Sequence, residues 1–229
     1  MNILITAGST EVPIDKVRVI SNIFRGRTGV EIARTAANLG HRVTLLHSHQ
    51  MGVADQLLRD PTTYFSNPIE LCRFRTFDDL AERMEEKIRG EKFDAIIHSA
   101  AVSDYRVASI GAAVGAGDER LNEAETANKI ASNHCSLLLE LVPTEKLVDK
   151  IRKPWGFRGK LVKFKLQVGI TDEALIDIAC RSRRASEADI IVANCLEWAK
   201  EYAYIIGEDD RAERVVRQKL PRTLLRRLG

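Results

Sequence analysis

Asn2-Ile3-Leu4-Ile5-Thr6-Ala7-Gly8, then a long loop, then Thr28-Gly29-Val30-Glu31-Ile32-Ala33-Arg34-Thr35-Ala36-Ala37-Asn38-Leu39, then Arg42-Val43-Thr44-Leu45-Leu46-His47: these three stretches decide the fold. The first is a short apolar run that ends in a turn, as a buried strand does. The second carries apolar residues at Val30, Ile32, Ala33, Ala36, Ala37 and Leu39, the spacing of one helix face, and Gly40 stops it. The third is β-branched and aliphatic. Strand, helix and strand in this order make a βαβ unit, and a βαβ unit implies a parallel sheet.

The alternation continues outward. Cys72 to Arg75 reads as a short strand, Phe77 to Arg89 as an amphipathic helix and Phe93 to His98 as a buried strand. From Arg106 to Asn128 the chain is rich in Gly and Ala and then in acids, without a sustained period; a loop of that length is usually functional, and it reads as a mobile arm or lid. Ser136 to Leu141 follows as a strand, Thr144 to Arg152 as a helix capped by Thr144, and Lys160 to Leu166 as a strand. Thr171 caps a helix reaching about Glu187, with Asp172 and Glu173 at its positive end. Asp189 to Asn194 is the next strand, Tyr202 to Ile206 with Glu213 to Val216 an edge hairpin, and Gln218 to Leu228 a terminal helix. With no repeat and no linker, residues 1–229 form one Rossmann-like, doubly wound α/β domain.

Composition excludes other classes. Of 229 residues, 45% are hydrophobic and 29% charged, which rules out disorder, collagen and disulfide knots. The net charge of +3 resides in the stretch from Glu208 to Gly229, where seven basic residues face four acidic ones; this is read as a solvated helix face with no nucleic-acid partner. No leader opens the chain and no run of about 18 apolar residues occurs, so a cytoplasmic protein without membrane contact is expected. Cys72, Cys135, Cys180 and Cys195 lack zinc or disulfide spacing and are read as buried thiols, and no protein metal site is expected.

Open α/β sheets bind ligands beyond the carboxyl ends of their strands, at helix N-termini. A nicotinamide-dependent oxidoreductase fails on two points: Gly8 is separated from Gly26 and Gly29 by a long loop, and the second strand ends Leu45-Leu46-His47-Ser48 without a ribose-binding acid. A Walker A loop is absent. The alternatives that stay open are, despite these points, an NAD(P)-dependent Rossmann oxidoreductase and a non-catalytic nucleotide or nucleic-acid-binding module.

The loop itself is more specific. It reads Thr6-Ala7-Gly8-Ser9-Thr10, Asp15-Lys16-Val17-Arg18, Ser21-Asn22 and Gly26-Arg27-Thr28-Gly29. Three blocks follow in order: Ile97-His98-Ser99-Ala100-Ala101-Val102-Ser103-Asp104-Tyr105, Lys129-Ile130-Ala131-Ser132, and Phe164-Lys165-Leu166 with Ala188-Asp189-Ile190-Ile191-Val192-Ala193-Asn194. This set resembles phosphopantothenoylcysteine synthetase, also called phosphopantothenate cysteine ligase, over nearly the whole chain, in a short stand-alone bacterial form lacking a flavin decarboxylase domain.

The resemblance implies a ligase of coenzyme A synthesis that joins 4'-phosphopantothenate to L-cysteine. The carboxylate would attack the α-phosphorus of a nucleoside triphosphate, CTP in preference to ATP, with Mg2+ on the phosphates. The cysteine amine would then displace the nucleotide from the acyl-nucleotidylate. The resemblance also implies a homodimer with shared active sites. By the same resemblance Asn22 holds the acyl intermediate, and Arg18 reaches the substrate from the partner subunit. Ala100, Ala101 and Asp104 line the substrate site, Asp104 also touching the nucleotide. Lys129 rides a flap over the phosphates; Gly8, Ser9 and Thr10 offer donors to phosphate; His98 and Ser99 face the nucleotide; Phe164 lies near the base. Many bifunctional relatives carry two lysines where this sequence has Ser182 and Ser186, so that Arg181, Arg183 or Arg184 is left to supply the charge, and Lys163 replaces a small residue before Phe164.

Overall fold

The computed structural model describes residues 1–49, 67–114, 117–120, 128–134 and 136–229. β1 (Asn2–Ala7) buries Ile3, Leu4, Ile5 and Ala7 toward both faces, as a central parallel strand must. The following loop contains a hairpin of β2 (Glu11–Pro13) and β3 (Val19–Ser21), paired antiparallel from Glu11 opposite Ser21 to Pro13 opposite Val19. α1 (Arg27–Asn38) buries one stripe of small and branched residues, Gly29, Val30, Ile32, Ala33, Ala36 and Ala37, which lets it lie close on the sheet. β4 (Arg42–Ser48) then pairs parallel with β1, and β5 (Ile69–Phe74) with β4.

α2 (Phe77–Gly90) opens with a reciprocal cap: Asp79 N–H donates to Thr76 Oγ1 at 3.2 Å while Asp79 Oδ2 accepts from Thr76 N–H at 3.0 Å. β6 (Ala95–His98) returns the chain to the other side of β1. Then β7 (Tyr105–Val114), β8 (Gly117–Arg120) and β9 (Ser136–Pro143) build a separate antiparallel sheet in the order β8-β7-β9. α3 (Leu147–Arg152), β10 (Lys160–Gln167), α4 (Asp172–Ala185) and β11 (Ile190–Cys195) resume the winding, with Thr171 Oγ1 accepting from Ala174 N–H as expected. β12 (Tyr202–Ile206) and β13 (Ala212–Val216) form the antiparallel edge hairpin; a 3-10 turn (Arg217–Lys219) leads into α5 (Leu220–Arg226), with Pro221 in its first turn.

The main sheet has the order β13-β12-β11-β10-β6-β1-β4-β5. α1 and α5 cover one face, packing on Ile3, Ile5, Val43, Val162 and Val192. The other face carries α2 and α3 over Leu4, Leu46, Ile96 and Leu161, and α4 over Ile191 and Ala193. The expected Rossmann-like α/β architecture is present.

Three sequence expectations need correction. Residues 106–128 are not aperiodic throughout: β7 and β8 occupy much of the segment, β7 pairing with both β8 and β9, while 115–116 and 121–127 lie outside the described residues. Gly and Ala have low strand propensity, so backbone pairing rather than side-chain alternation makes that ribbon. Ser136 to Leu141 accordingly belongs to the arm and not to the parallel sheet. Thr144 does not cap α3, which starts at Leu147 after Lys146; its hydroxyl donates instead to Ser103 O at 2.7 Å and ties α3 to the β6 loop. Of the thiols, Cys180 and Cys195 are buried, Cys72 is only half-buried, and Cys135 lies outside the described residues.

Candidate active site

The strand order reverses between β1 and β6, and the loops leaving their carboxyl ends diverge there, which opens the crevice where such sheets bind ligands. The two loops are stitched by backbone: Ser99 N–H donates to Thr6 O at 3.2 Å, Ala101 N–H to Gly8 O at 2.8 Å and Thr10 N–H to Ala101 O at 3.3 Å. Sequence-distant blocks thus share one floor.

Three glycines shape its other wall. Gly8 has φ +94°, and a Cβ there would stand 2.0 Å from Ser48 Oγ; one on Gly26, at φ +75°, would stand 2.4 Å from Gly8 N. One on Gly29 would stand 2.6 Å from both Ala7 Cβ and Ser99 Oγ. The start of α1 is therefore pressed directly onto the ends of β1 and β6. Separation in sequence had counted against a nucleotide fingerprint, but the hairpin of β2 and β3 takes up the intervening residues and the glycines meet in space. The acid missing at the end of β4 remains missing, since Ser48 is there.

Asn22 leaves β3 beside this floor, its Nδ2 donating to Ala101 O at 3.2 Å. Ala100 and Ala101 are half-buried on the β6 loop, and Asp104 is exposed at its end with its carboxylate free of protein partners among the described residues. Asn22 is thus held against Ala101, on the loop that also carries Ala100 and Asp104. Ser9, Thr10, Ser99 and His98 have other parts. Ser9 Oγ bonds Ser21 Oγ at 3.0 Å, the buried Thr10 Oγ1 accepts from Ser103 N–H at 2.8 Å, and Ser99 Oγ donates to Thr6 O at 2.6 Å. These hydroxyls brace the loops from within. Ala100 N–H donates to Thr6 Oγ1 at 3.1 Å, and that hydroxyl lies 3.0 Å from His98 Nδ1. Burial, with the Lys163 charge on the neighbouring strand, pushes His98 down to about 4, so it is a neutral strut beneath Ala100.

Arg18 is brought to the segment that carries Lys129. Arg18 lies before β3 at the hairpin tip, roughly 13 Å along the strand from Asn22. Its Nη2 donates to Ile130 O at 2.7 Å. The buried Asp15 accepts from Val17, Arg18 and Ile130 N–H groups; burial raises its pKa, yet these bonds and the Arg18 charge outweigh burial and hold it below the ordinary value. Lys16 N–H also donates to Asn128 O at 2.9 Å, so the exposed Lys129 is docked on this tip.

On the α1 face, Phe164 is half-buried on β10, and Asn194 lies one step further along β11, where the register sets Leu166 beside it. Arg217 crosses from the 3-10 turn to join Asn194 Oδ1 at 2.9 Å and Thr28 Oγ1. Gly26, Gly29, Asn194 and Arg217 also border this candidate site, and sequence reasoning did not select them. The signal for the glycines was present, as a fingerprint interrupted by a hairpin; Arg217 had none.

Residues 1–223 match the family described as DNA/pantothenate metabolism flavoprotein C-terminal domain. The chain belongs to this family. It is 32% identical over 231 residues to the coenzyme A biosynthesis bifunctional protein CoaBC of Thermococcus kodakarensis, covering 99% of this chain and 48% of that protein. The Escherichia coli CoaBC is 28% identical over 196 residues, covering 85% and 41%. The chain spans about half the length of these curated relatives. A solved DNA/pantothenate metabolism flavoprotein from Streptococcus pneumoniae superposes with a TM-score of 0.79 at 27% identity, covering 99% of this chain and 97% of that one. A Cab2 mutant in complex with phosphopantothenate-cysteine shares the fold, with a TM-score of 0.72 at 15% identity over 98% and 85% of the two chains.

Within this pantothenate-metabolism domain the substituted lysine positions are explained by Lys163. It is buried on β10 and extends between α3 and α4, donating to Ser186 Oγ at 2.5 Å and Ser182 O at 3.1 Å, while Ser186 Oγ donates to Asp149 Oδ1 at 2.7 Å. One cation thus arrives from the strand where the resemblance places two on the helix. Burial pushes it down to about 8, only partly offset by Asp149. The arginines do not fill that place: Arg181 pairs with Asp177, Arg184 with Asp210, and Arg183 with Ala188 O and Asp210. Among the described residues no three His, Cys, Asp or Glu side chains cluster to hold a metal, and no helix is long and apolar enough to cross a membrane.

Proposed function

We propose that this domain joins 4'-phosphopantothenate to L-cysteine in coenzyme A biosynthesis, through an acyl-nucleotidylate. The observation that carries the reading is that Asn22 is held against Ala101, on the loop that also carries Ala100 and Asp104, beside the glycine-pressed start of α1. The CoaBC relatives support the pathway by name.

In this reading the pantothenate carboxylate oxygen attacks the α-phosphorus, the bond to the β-phosphate oxygen breaks, and pyrophosphate leaves. The cysteine amine then attacks the carbonyl carbon, loses a proton, and expels the nucleoside monophosphate. Asn22 supplies a neutral amide donor to the acyl oxygen, and a neutral donor does not protonate the attacking amine. The open backbone at Ala100 and Ala101 gives the substrate close approach, and Asp104 accepts from its hydroxyl or amide groups. Mg2+ enters on the triphosphate and neutralises charge that develops in the first step. CTP is the favoured nucleotide, by resemblance to bacterial relatives, and ATP the second.

A homodimer completes the site. Arg18 stands at the hairpin tip, roughly 13 Å along the strand from Asn22 of its own subunit, and Val17, Ile23, Phe24, Tyr105, Leu138 and Leu141 leave apolar surface exposed on the hairpin and arm. Pairing of these surfaces covers the patch and carries Arg18 to the partner's site.

The test is pyrophosphate release from CTP and separately from ATP, with Mg2+ and 4'-phosphopantothenate, before and after cysteine. Release that requires phosphopantothenate supports the reading; no release with either nucleotide overturns it.

A further inference from the structure

Arg217 is placed where a cation gains least. It opens the 3-10 turn, with its N–H on Glu201 O at 2.7 Å, and its half-buried guanidinium reaches the positive end of α1, whose first turn carries no acidic residue and whose nearest one is Glu31. Both of its acceptors, Asn194 Oδ1 and Thr28 Oγ1, are neutral, and it forms no ion pair among the described residues. Burial lowers the Arg217 pKa, and the Glu31 charge, itself paired with Arg27, offsets this only in part, so the guanidinium is held there at a cost to folding.

The consequence is at Asn194, which is 6% exposed. A free carboxamide can turn either end toward the crevice. With Oδ1 taken by Arg217, the orientation is fixed, and Nδ2 is left without a protein partner. The two Nδ2 hydrogens are the groups available to a ligand on the face that Phe164 shares.

We propose that Arg217 is a positioning residue for the nucleotide: its planar fork locks the Asn194 amide with the donor end toward an oxygen of the bound nucleotide, and ties that amide to α1 through Thr28. The proposal rests on the nucleotide-dependent reading above. A fork is needed because two acceptors on different elements are held at once, which a lysine ammonium at 217 does not reproduce in one plane.

The experiment uses the full chain carrying R217Q, R217K, N194A, or R217Q with N194A. It measures KM for each substrate, the thermal midpoint, and calorimetric Kd for CTP and ATP with Mg2+. R217Q is expected to raise KM and Kd for the nucleotide about tenfold, the size of one lost oriented hydrogen bond, and to leave KM for phosphopantothenate within about twofold. The double variant is expected to match N194A, because Arg217 acts through that amide, and R217K to remain impaired. Wild-type affinity in R217K, or losses that multiply in the double variant, overturn the positioning role. Unchanged nucleotide Kd in R217Q, with wild type binding normally, overturns it while leaving the ligase reading intact. Failure of wild type to bind either nucleotide overturns both.

Discussion

Acidification from pH 7 to pH 5 is expected to weaken this domain, chiefly through the buried His98. It is 7% exposed, and burial and Lys163 push it down to about 4 from an ordinary 6.5. The unfolded chain takes up this proton below pH 6.5, whereas the folded chain does not until about pH 4. The stabilisation is therefore complete above 6.5 and is lost as the pH falls toward 4. At pH 5 the two states differ by roughly one and a half pK steps, a loss of about 2 kcal/mol relative to pH 7. Urea unfolding of wild type and His98→Asn at both pH values, read by tryptophan fluorescence, isolates it from the other histidines. Asparagine can still accept from Thr6, so the variant folds but lacks the titrating ring. Wild type should lose about 2 kcal/mol more than the variant between the two pH values. Equal losses would refute the assignment of His98 as a buried neutral strut. Lys163→Met should reduce the loss, because the cation that repels imidazolium is gone.

Gly29→Val places a side chain 2.6 Å from Ala7 Cβ and Ser99 Oγ; unfolding experiments should show a cost of about 1–3 kcal/mol, and calorimetry a weaker nucleotide complex as α1 lifts from β1. Asn22→Asp should keep pyrophosphate release but slow amide formation by roughly two orders of magnitude in single-turnover assays, whereas Lys129→Gln should slow the release itself. Leu138→Glu together with Leu141→Glu should give a monomer in sedimentation and remove ligase activity; an active monomer would separate the apolar arm from the site.

The parallel core was legible because its pattern is set by burial: Ile3 to Ala7, Val43 to Leu46 and Ala95 to Ile97 are apolar on both faces, and the helices between them have one stripe each. Caps that act within one turn were legible too, as at Thr171. What was not legible depends on partners distant in sequence. β7 is a strand because β9 pairs with it, and Thr144 abandons α3 because Ser103 O is within reach. The same holds at the site. Asn22, Ala101 and Asp104 belong to quotable motifs, but the inward turn of Ser9, Thr10 and Ser99 follows from how tightly Gly8, Gly26 and Gly29 close the two loops. Arg217 lies in a basic tail whose composition resembles a solvated helix face, and only the edge hairpin of β12 and β13 carries it back over Asn194.

The central claim is that the pantothenate carboxylate is activated by forming a bond to the α-phosphorus. Phosphopantothenate labelled with oxygen-18 in its carboxylate, turned over with cysteine, Mg2+ and CTP or ATP, tests it by mass spectrometry of the products. The account predicts one labelled oxygen in the nucleoside monophosphate and none in pyrophosphate; an unlabelled monophosphate, or label in inorganic phosphate with a nucleoside diphosphate, would contradict it.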